Sequence, residues 1–275
     1  MPAHGPRTRS FRYLLGDSRA ETRRLAVQAK LWEPVSKAFF DRIGIRRGWK
    51  ALEVGPGQGA LHVELRRRVG GPVDAVERSA PFVAEIRAKC ERDGRGEGRI
   101  WQCDLRDAKL PRARYDLIFA RWVFLFLPDP MQHVRQLVRA LRPGGYLAIQ
   151  DYHRDTLTLV PRPAEWSDFL AADRKFFASQ GGDASIGGKM PDLMRRAGLS
   201  VGPVVPTIKT GGPGTNEWEW ATTYFRGVMK AMSAFRPLTP RKGARLLAHW
   251  RAIERRPSSL LIAPAVLDVL GRKPR

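Results

Sequence analysis

The chain has 275 residues, enough for one sizeable domain with added elements and too few for two large independent domains. Its 49 Lys and Arg against 27 Asp and Glu give a formal net charge of +22, a balance that nucleic-acid binders also show, while its two cysteines lack the partner pattern of a disulfide framework or a zinc site. No apolar run reaches the about 20 residues that a bilayer requires, and no basic segment precedes an apolar stretch of signal-peptide length, so a cytoplasmic protein with no membrane partner is expected.

Ala20 to Ile43 is expected to be helical, with Leu25, Ala29, Leu31, Trp32, Val35 and Phe39 forming a broad apolar face. Ala51-Leu52-Glu53-Val54 then reads as a buried strand that carries a carboxylate and turns into a helix through Gly55, Gly57 and Gly59. Three glycines at alternate positions clear room for an adenosine-sized ligand at the tip of a parallel strand. Gly55, Gly57 and Ala60 also satisfy the loose dinucleotide fingerprint. Glu53 decides between the two readings. It would set a second negative charge beside a pyrophosphate, which is unfavourable, whereas a ligand with a positive amino group and no phosphate is attracted to it.

Here the sequence resembles the class I S-adenosylmethionine-dependent methyltransferases, whose first motif has the form acid-x-Gly-x-Gly-x-Gly. The elements that follow keep the same order. Val73 to Glu77 reads as a second strand ending in an acid, Arg99 to Cys103 as a third that delivers Asp104, and Tyr115 to Ala120 as a fourth. Pro128 to Leu141 has helical apolar spacing, and Leu141 to Gln150 supplies a helix stop, the Gly144-Gly145 turn and a fifth strand. Strands alternating with helices over Trp49 to Tyr152 imply a parallel sheet covered on both faces, with ligands at the carboxyl ends of the strands. Glu53, Glu77, Asp104, Arg121 and Asp151 all fall on that edge.

After the fifth strand, Arg154 to Gly182 is aromatic and polar and breaks the rhythm, as an insertion capping a substrate pocket would. Lys189 to Gly198 reads as a helix with a glycine stop, and Val201 to Lys209 as a sixth strand. Glu217 to Met232 and Pro240 to Arg255 read as helices, and Leu260 to Gly271 as a seventh strand, antiparallel if the family resemblance holds. The expected fold is therefore α/β: a doubly wound, seven-stranded, mostly parallel Rossmann-like sheet with an N-terminal helical lid and a cap insertion. The divisions are 1–44 for the lid, 45–152 for the cofactor-binding core, and 153–275 for the cap with the last helices and strands of the same sheet.

The resemblance, of the ubiquinone-pathway, small-molecule type, implies S-adenosyl-L-methionine as cofactor and S-adenosyl-L-homocysteine as product. It assigns cofactor contacts to Glu53, Gly55, Gly57, Gly59, Glu77, Arg78, Asp104, Leu105, Arg121 and Gln28. Among these, Glu77 would take the ribose hydroxyls, Asp104 the adenine amino group, and Leu105 the side of the ring. Arg121 is equally suited to the acceptor or to the cofactor carboxylate. A bacterial branch of the family shares Tyr13 and Arg24, which with Gln28 would close on the methionine end; a first helix that simply packs on the sheet fits as well. Trp122 and Tyr152 flank the rim and suit a flat or apolar acceptor, with plain packing as the alternative. Asp151 and His153 are the candidate general bases, needed for a hydroxyl acceptor and dispensable for carbon or basic nitrogen.

The positive charge is spread over several short arginine clusters, and the segment after the fourth strand lacks the Asp/Asn-Pro-Pro-Tyr signature of enzymes that methylate a flipped base. A small-molecule acceptor is therefore favoured, by a monomer or homodimer. RNA methylation and non-catalytic cofactor binding are the alternatives.

Overall fold

The computed structural model describes residues 19–275, with side chains from Val27 onward. Tyr13 and the side chain of Arg24 lie outside the described residues.

A long helix α1 (Arg19–Ile43) leads into β1 (Ala51–Val54), which is buried along its whole length. There follow α2 (Ala60–Val69), β2 (Asp74–Val76), α3 (Ala80–Asp93), β3 (Ile100–Trp101), β4 (Tyr115–Arg121) and α4 (Pro130–Ala140), with no α-helix between β3 and β4. The long β5 (Leu141–His153) then runs parallel to β4. Its register is interrupted where Pro143, Gly144 and Gly145 bulge out; Gly144 has φ +77°, and a Cβ on Gly145 would lie 2.7 Å from the Tyr115 carbonyl oxygen.

The cap begins with β6 (Thr158–Val160) and α5 (Trp166–Ser179). It continues after α6 (Met190–Arg196), β7 (Ser200–Val201) and β8 (Val205–Thr207) with β9 (Thr210–Gly211), α7 (Asn216–Met232) and α8 (Pro240–Ile253). The chain returns through β10 (Leu260–Ile262) and β11 (Ala265–Arg272).

The main sheet has the order β3-β2-β1-β4-β5-β11-β7, with β8 also on β11. Strands β1 to β5 are mutually parallel and β11 is antiparallel to β5, as the resemblance implied. Alternate residues of β4 face opposite ways. Leu117 and Phe119 pack with Phe39, Phe40, Leu61 and Leu65 of α1 and α2, whereas Ile118 and Ala120 join the core beneath α4.

Two expected strands are each divided. Val201 to Lys209 splits at Gly202-Pro203 into β7 and β8, and Leu260 to Gly271 splits at Ala263-Pro264 into β10 and β11. Proline has no N–H to give a ladder, so each run breaks there. β10 leaves the main sheet altogether and lies between β6 and β9 in a second, three-stranded sheet that the sequence did not announce. Among the described residues no helix is long and apolar enough to cross a membrane.

Candidate active site

The turn after β1 is built by its glycines. Gly55, Gly57 and Gly59 have φ of +66°, +55° and +78°, a region costly for any residue with a Cβ. The space around them differs. A Cβ on Gly55 would come within 2.6 Å of Val123 Cγ2, whereas one on Gly57 would meet nothing within 4 Å. Gly57 therefore faces open volume, and a ligand can reach the backbone there.

Glu77 closes the far side of this turn. Its buried carboxylate accepts N–H bonds from Gly57 at 3.1 Å and Ser79 at 2.8 Å. Burial pushes its carboxyl above the usual range, against the pull of those two bonds. Asp104, after β3, caps the short turn that carries Leu105 and accepts hydrogen bonds from the backbone and guanidinium of Arg106. Burial opposes its ionisation, yet the Arg106 bonds hold its carboxyl below the usual range. Glu53 is 3% exposed at the end of β1, with the imidazole of His62 against it.

These groups line one cavity of about 720 Å³, together with Arg78, Arg121 and, from α1, Gln28, Ala29 and Glu33. Its other half is aromatic. The rings of Trp122 and Tyr152 lie parallel, with centroids 5.2 Å apart and planes 8° apart, and Trp32 meets both edge-on. Trp122 takes φ +54°, a conformation a bulky residue holds only where its surroundings impose it. Arg121 donates to Ser36 Oγ at 3.0 Å, and burial draws its pKa down against the attraction of Glu53. Gln28 accepts from Trp220 Nε1 at 3.5 Å.

Asp151 and His153 stand apart. Asp151 is fully buried and does not line the cavity; it accepts backbone N–H bonds from Leu125 and Tyr152 at 3.2 and 2.9 Å. Burial pushes its carboxyl up to about 7. His153 lies against Gly188, also away from the cavity. Successive strand residues point to opposite faces, so the turn of Tyr152 toward the cavity sends both neighbours the other way.

The sequence profile of a family described as "Methyltransferase domain" matches residues 52–149, the span from β1 to β5 that carries the glycine turn, Glu77 and Asp104. The match holds a class I S-adenosylmethionine-dependent methyltransferase domain. Methyltransferase GfsG of Streptomyces halstedii is 34% identical to the chain over 126 residues, 45% of this chain and 45% of that protein. Nocamycin O-methyltransferase of Saccharothrix syringae is 27% identical over 126 residues, with the same two shares of 45%. The chain thus spans about half the length of these curated relatives. A solved structure of phosphoethanolamine N-methyltransferase 2 of Haemonchus contortus, in complex with phosphomonomethylethanolamine and S-adenosylhomocysteine, superposes with a TM-score of 0.59 at 16% identity. It covers 97% of this chain and 61% of that one, a likeness of fold.

The methyltransferase domain supplies the glycine turn and the cavity acids Glu53, Glu77 and Asp104, and the aromatic half is completed from outside it. Arg154, Phe176, Phe177, Trp220 and Tyr224 all reach the cavity from beyond residue 149. Phe176 and Phe177 were legible as part of an aromatic insertion. Arg154 and Tyr224 carry no motif, and their sequence separation of 70 left no local signal that they meet.

Proposed function

We propose that this protein transfers the methyl group of S-adenosylmethionine to an oxygen, nitrogen or carbon atom of a small molecule. One observation carries the reading: a single cavity runs from the glycine turn to the Trp122–Tyr152 wall. Its volume of about 720 Å³ falls within the roughly 300–1,000 Å³ of small-molecule sites. The relative named for nocamycin supports a small acceptor.

The residues present fit the cofactor. The open side of Gly57 admits an adenosine, Glu77 offers a carboxylate to ribose hydroxyls, and Asp104 and Leu105 frame the base. Glu53 offers a buried negative charge to an amino group. Bound, the cofactor supplies an electrophilic methyl on a sulfonium, which the acceptor's nucleophile displaces in line. The chain contributes position and dryness: the Trp122–Tyr152 stack borders the acceptor, and the cap with Gln28, Ala29 and Glu33 of α1 excludes water. Because Asp151 and His153 do not reach the cavity, neither serves as general base, and positioning does the catalytic work. Of the lid expected over 1–44, the described part is α1, whose Gln28 and Glu33 stand at the cavity edge in this reading. Two free cysteines accord with a cytoplasmic setting.

The test is a calorimetric titration followed by a labelled-methyl transfer assay over a panel of small acceptors. S-adenosylmethionine and S-adenosylhomocysteine should bind, nicotinamide dinucleotides should not, and label should pass to at least one acceptor. Preference for a dinucleotide, or tight cofactor binding with no transfer to any acceptor, would overturn the proposal.

A further inference from the structure

The aromatic wall is bracketed by two guanidinium groups. Arg121 Cζ lies 4.4 Å from the centre of the Trp122 ring, and Arg154 Cζ lies 5.8 Å from that of Tyr152. Arg154 is further enclosed by the rings of Phe177, at 5.7 Å, and Tyr224, at 4.9 Å, and only 6% of it is exposed. A charge so enclosed needs a partner. Asp173 on α5 provides one: Nε donates to Oδ2 at 2.7 Å and Nη2 to Oδ1 at 3.0 Å. The hydroxyl of Tyr224 on α7 accepts from Nη2 at 2.8 Å and donates to Asp173 Oδ1 at 2.9 Å.

That network uses two of the three guanidinium nitrogens. The third, Nη1, makes no hydrogen bond among the described residues. Nor is it one of the polar atoms sealed inside the protein without a partner, as Nη1 of Arg66 is. Arg154 lines the cavity, and Nη1 is the guanidinium nitrogen that its protein partners leave available to a ligand there. The bidentate bond to Asp173 fixes the guanidinium plane, and with it the direction in which Nη1 points.

A salt bridge needed only for cap stability would have its free edge packed against protein. Here the edge is held rigid by Asp173 and makes no hydrogen bond among the described residues. We propose that Arg154 Nη1 takes an ionised oxygen of the acceptor, so that the substrates of this site are acids. The acceptor lies beside the Trp122–Tyr152 stack, and its carboxylate or comparable ionised oxygen meets Arg154. A charge-assisted bond in a dry site favours the anion over its neutral analogue, because the analogue leaves a buried donor poorly matched. This inference rests on the methyltransferase reading above, since it assumes that the aromatic half of the cavity receives the acceptor.

The probes are 2-naphthoate and its neutral counterpart 2-naphthamide, titrated calorimetrically into the full chain saturated with S-adenosylhomocysteine. The acid should bind about tenfold more tightly than the amide or better. In Arg154→Met/Asp173→Leu, which exchanges the pair for apolar side chains of similar bulk, that preference should vanish while S-adenosylhomocysteine affinity stays within about twofold. Equal affinities in the parent protein, a preference that survives the double substitution, or binding of neither probe would overturn the proposal. If the double variant shows no cooperative melting transition, the acid–amide comparison in the parent protein decides alone. Failure of S-adenosylhomocysteine itself to bind the parent protein would strike at the methyltransferase reading instead.

Discussion

The imidazole Nδ1 of His62 lies 3.1 Å from Oε2 of Glu53, and both side chains are buried. His62 stands on the first turns of α2 and Glu53 in β1, so the glycine turn that admits the cofactor is spanned from inside by this pair. Burial alone would lower the imidazole pKa, but Cys90 and the Glu53 carboxylate raise it to about 9. A raised pKa favours the protonated ring, which holds the Glu53 carboxylate in place through Nδ1, while Nε2 has no hydrogen-bond partner among the described residues.

His62→Gln should weaken S-adenosylhomocysteine binding by about tenfold, because the Glu53 carboxylate loses its fixed position. Binding of 5′-methylthioadenosine, which lacks the amino-acid end, should change little. Calorimetry on both ligands makes the comparison, and an equal loss for both would mean that His62 only supports the turn.

The same pair gives a pH dependence. A folded-state pKa of about 9, above the ordinary 6.5, means a stabilising contribution fully present below pH 6.5 and lost as pH rises through about 9. The melting-temperature gap between the parent protein and His62→Gln should therefore narrow between those limits. A gap that is constant or widening with pH would count against the assignment.

Gly55 and Gly57 separate a packing role from a ligand role. Gly57→Ala places a methyl in open space, so its folding cost is the left-handed backbone alone, about 1–2 kcal/mol, while cofactor affinity should fall sharply. Gly55→Ala adds a clash with Val123 and should destabilise more. Adding Val123→Ala should recover part of that loss in chemical denaturation, whereas it should do nothing for Gly57→Ala.

Asp151→Asn should act on stability rather than on chemistry. The carboxylate accepts two backbone N–H bonds, and an amide can accept only through its oxygen, at a cost of about 1–3 kcal/mol. The folded-state pKa of about 7, raised above the ordinary 3.8, means a stabilising contribution fully present below pH 3.8 and lost as pH rises through about 7, so the difference from the variant should shrink across that window. Urea unfolding at several pH values within it measures this. Turnover per folded molecule should stay within about twofold in the transfer assay; a drop of a hundredfold would restore Asp151 as a base.

The core from β1 to β5 was legible because its strands are short apolar runs ending in polar residues, each followed by a helix signal. Glu53, Glu77 and Asp104 could be placed because they sit directly after those runs. Which of Asp151, Tyr152 and His153 lines the cavity was not legible, because the three look equivalent along the chain and the side to which each points follows from the phase of the pleat. The small sheet of β6, β10 and β9 was invisible because its strands have two or three residues and meet partners about fifty to a hundred positions away. Trp122 was noticed as an aromatic at the rim; its left-handed backbone has no local signature.

That small sheet also bears on how ligands come and go. β6 follows the turn that carries Arg154, β9 leads into the helix that carries Tyr224, and β10 crosses both before passing through Ala263 and Pro264 into β11. The cap is in this way laced together at its entrance, its middle and its exit, and joined through β10 to β11 of the central sheet. The later part of α1 is fastened too, through Phe39 and Phe40 in the core, the Ser36–Gln150 bond, and the Arg42–Asp268 ion pair. The earlier stretch of α1, around Gln28, Ala29 and Glu33, borders the cavity and is tied to the cap through the Gln28–Trp220 bond, so ligand entry and the cap share one boundary.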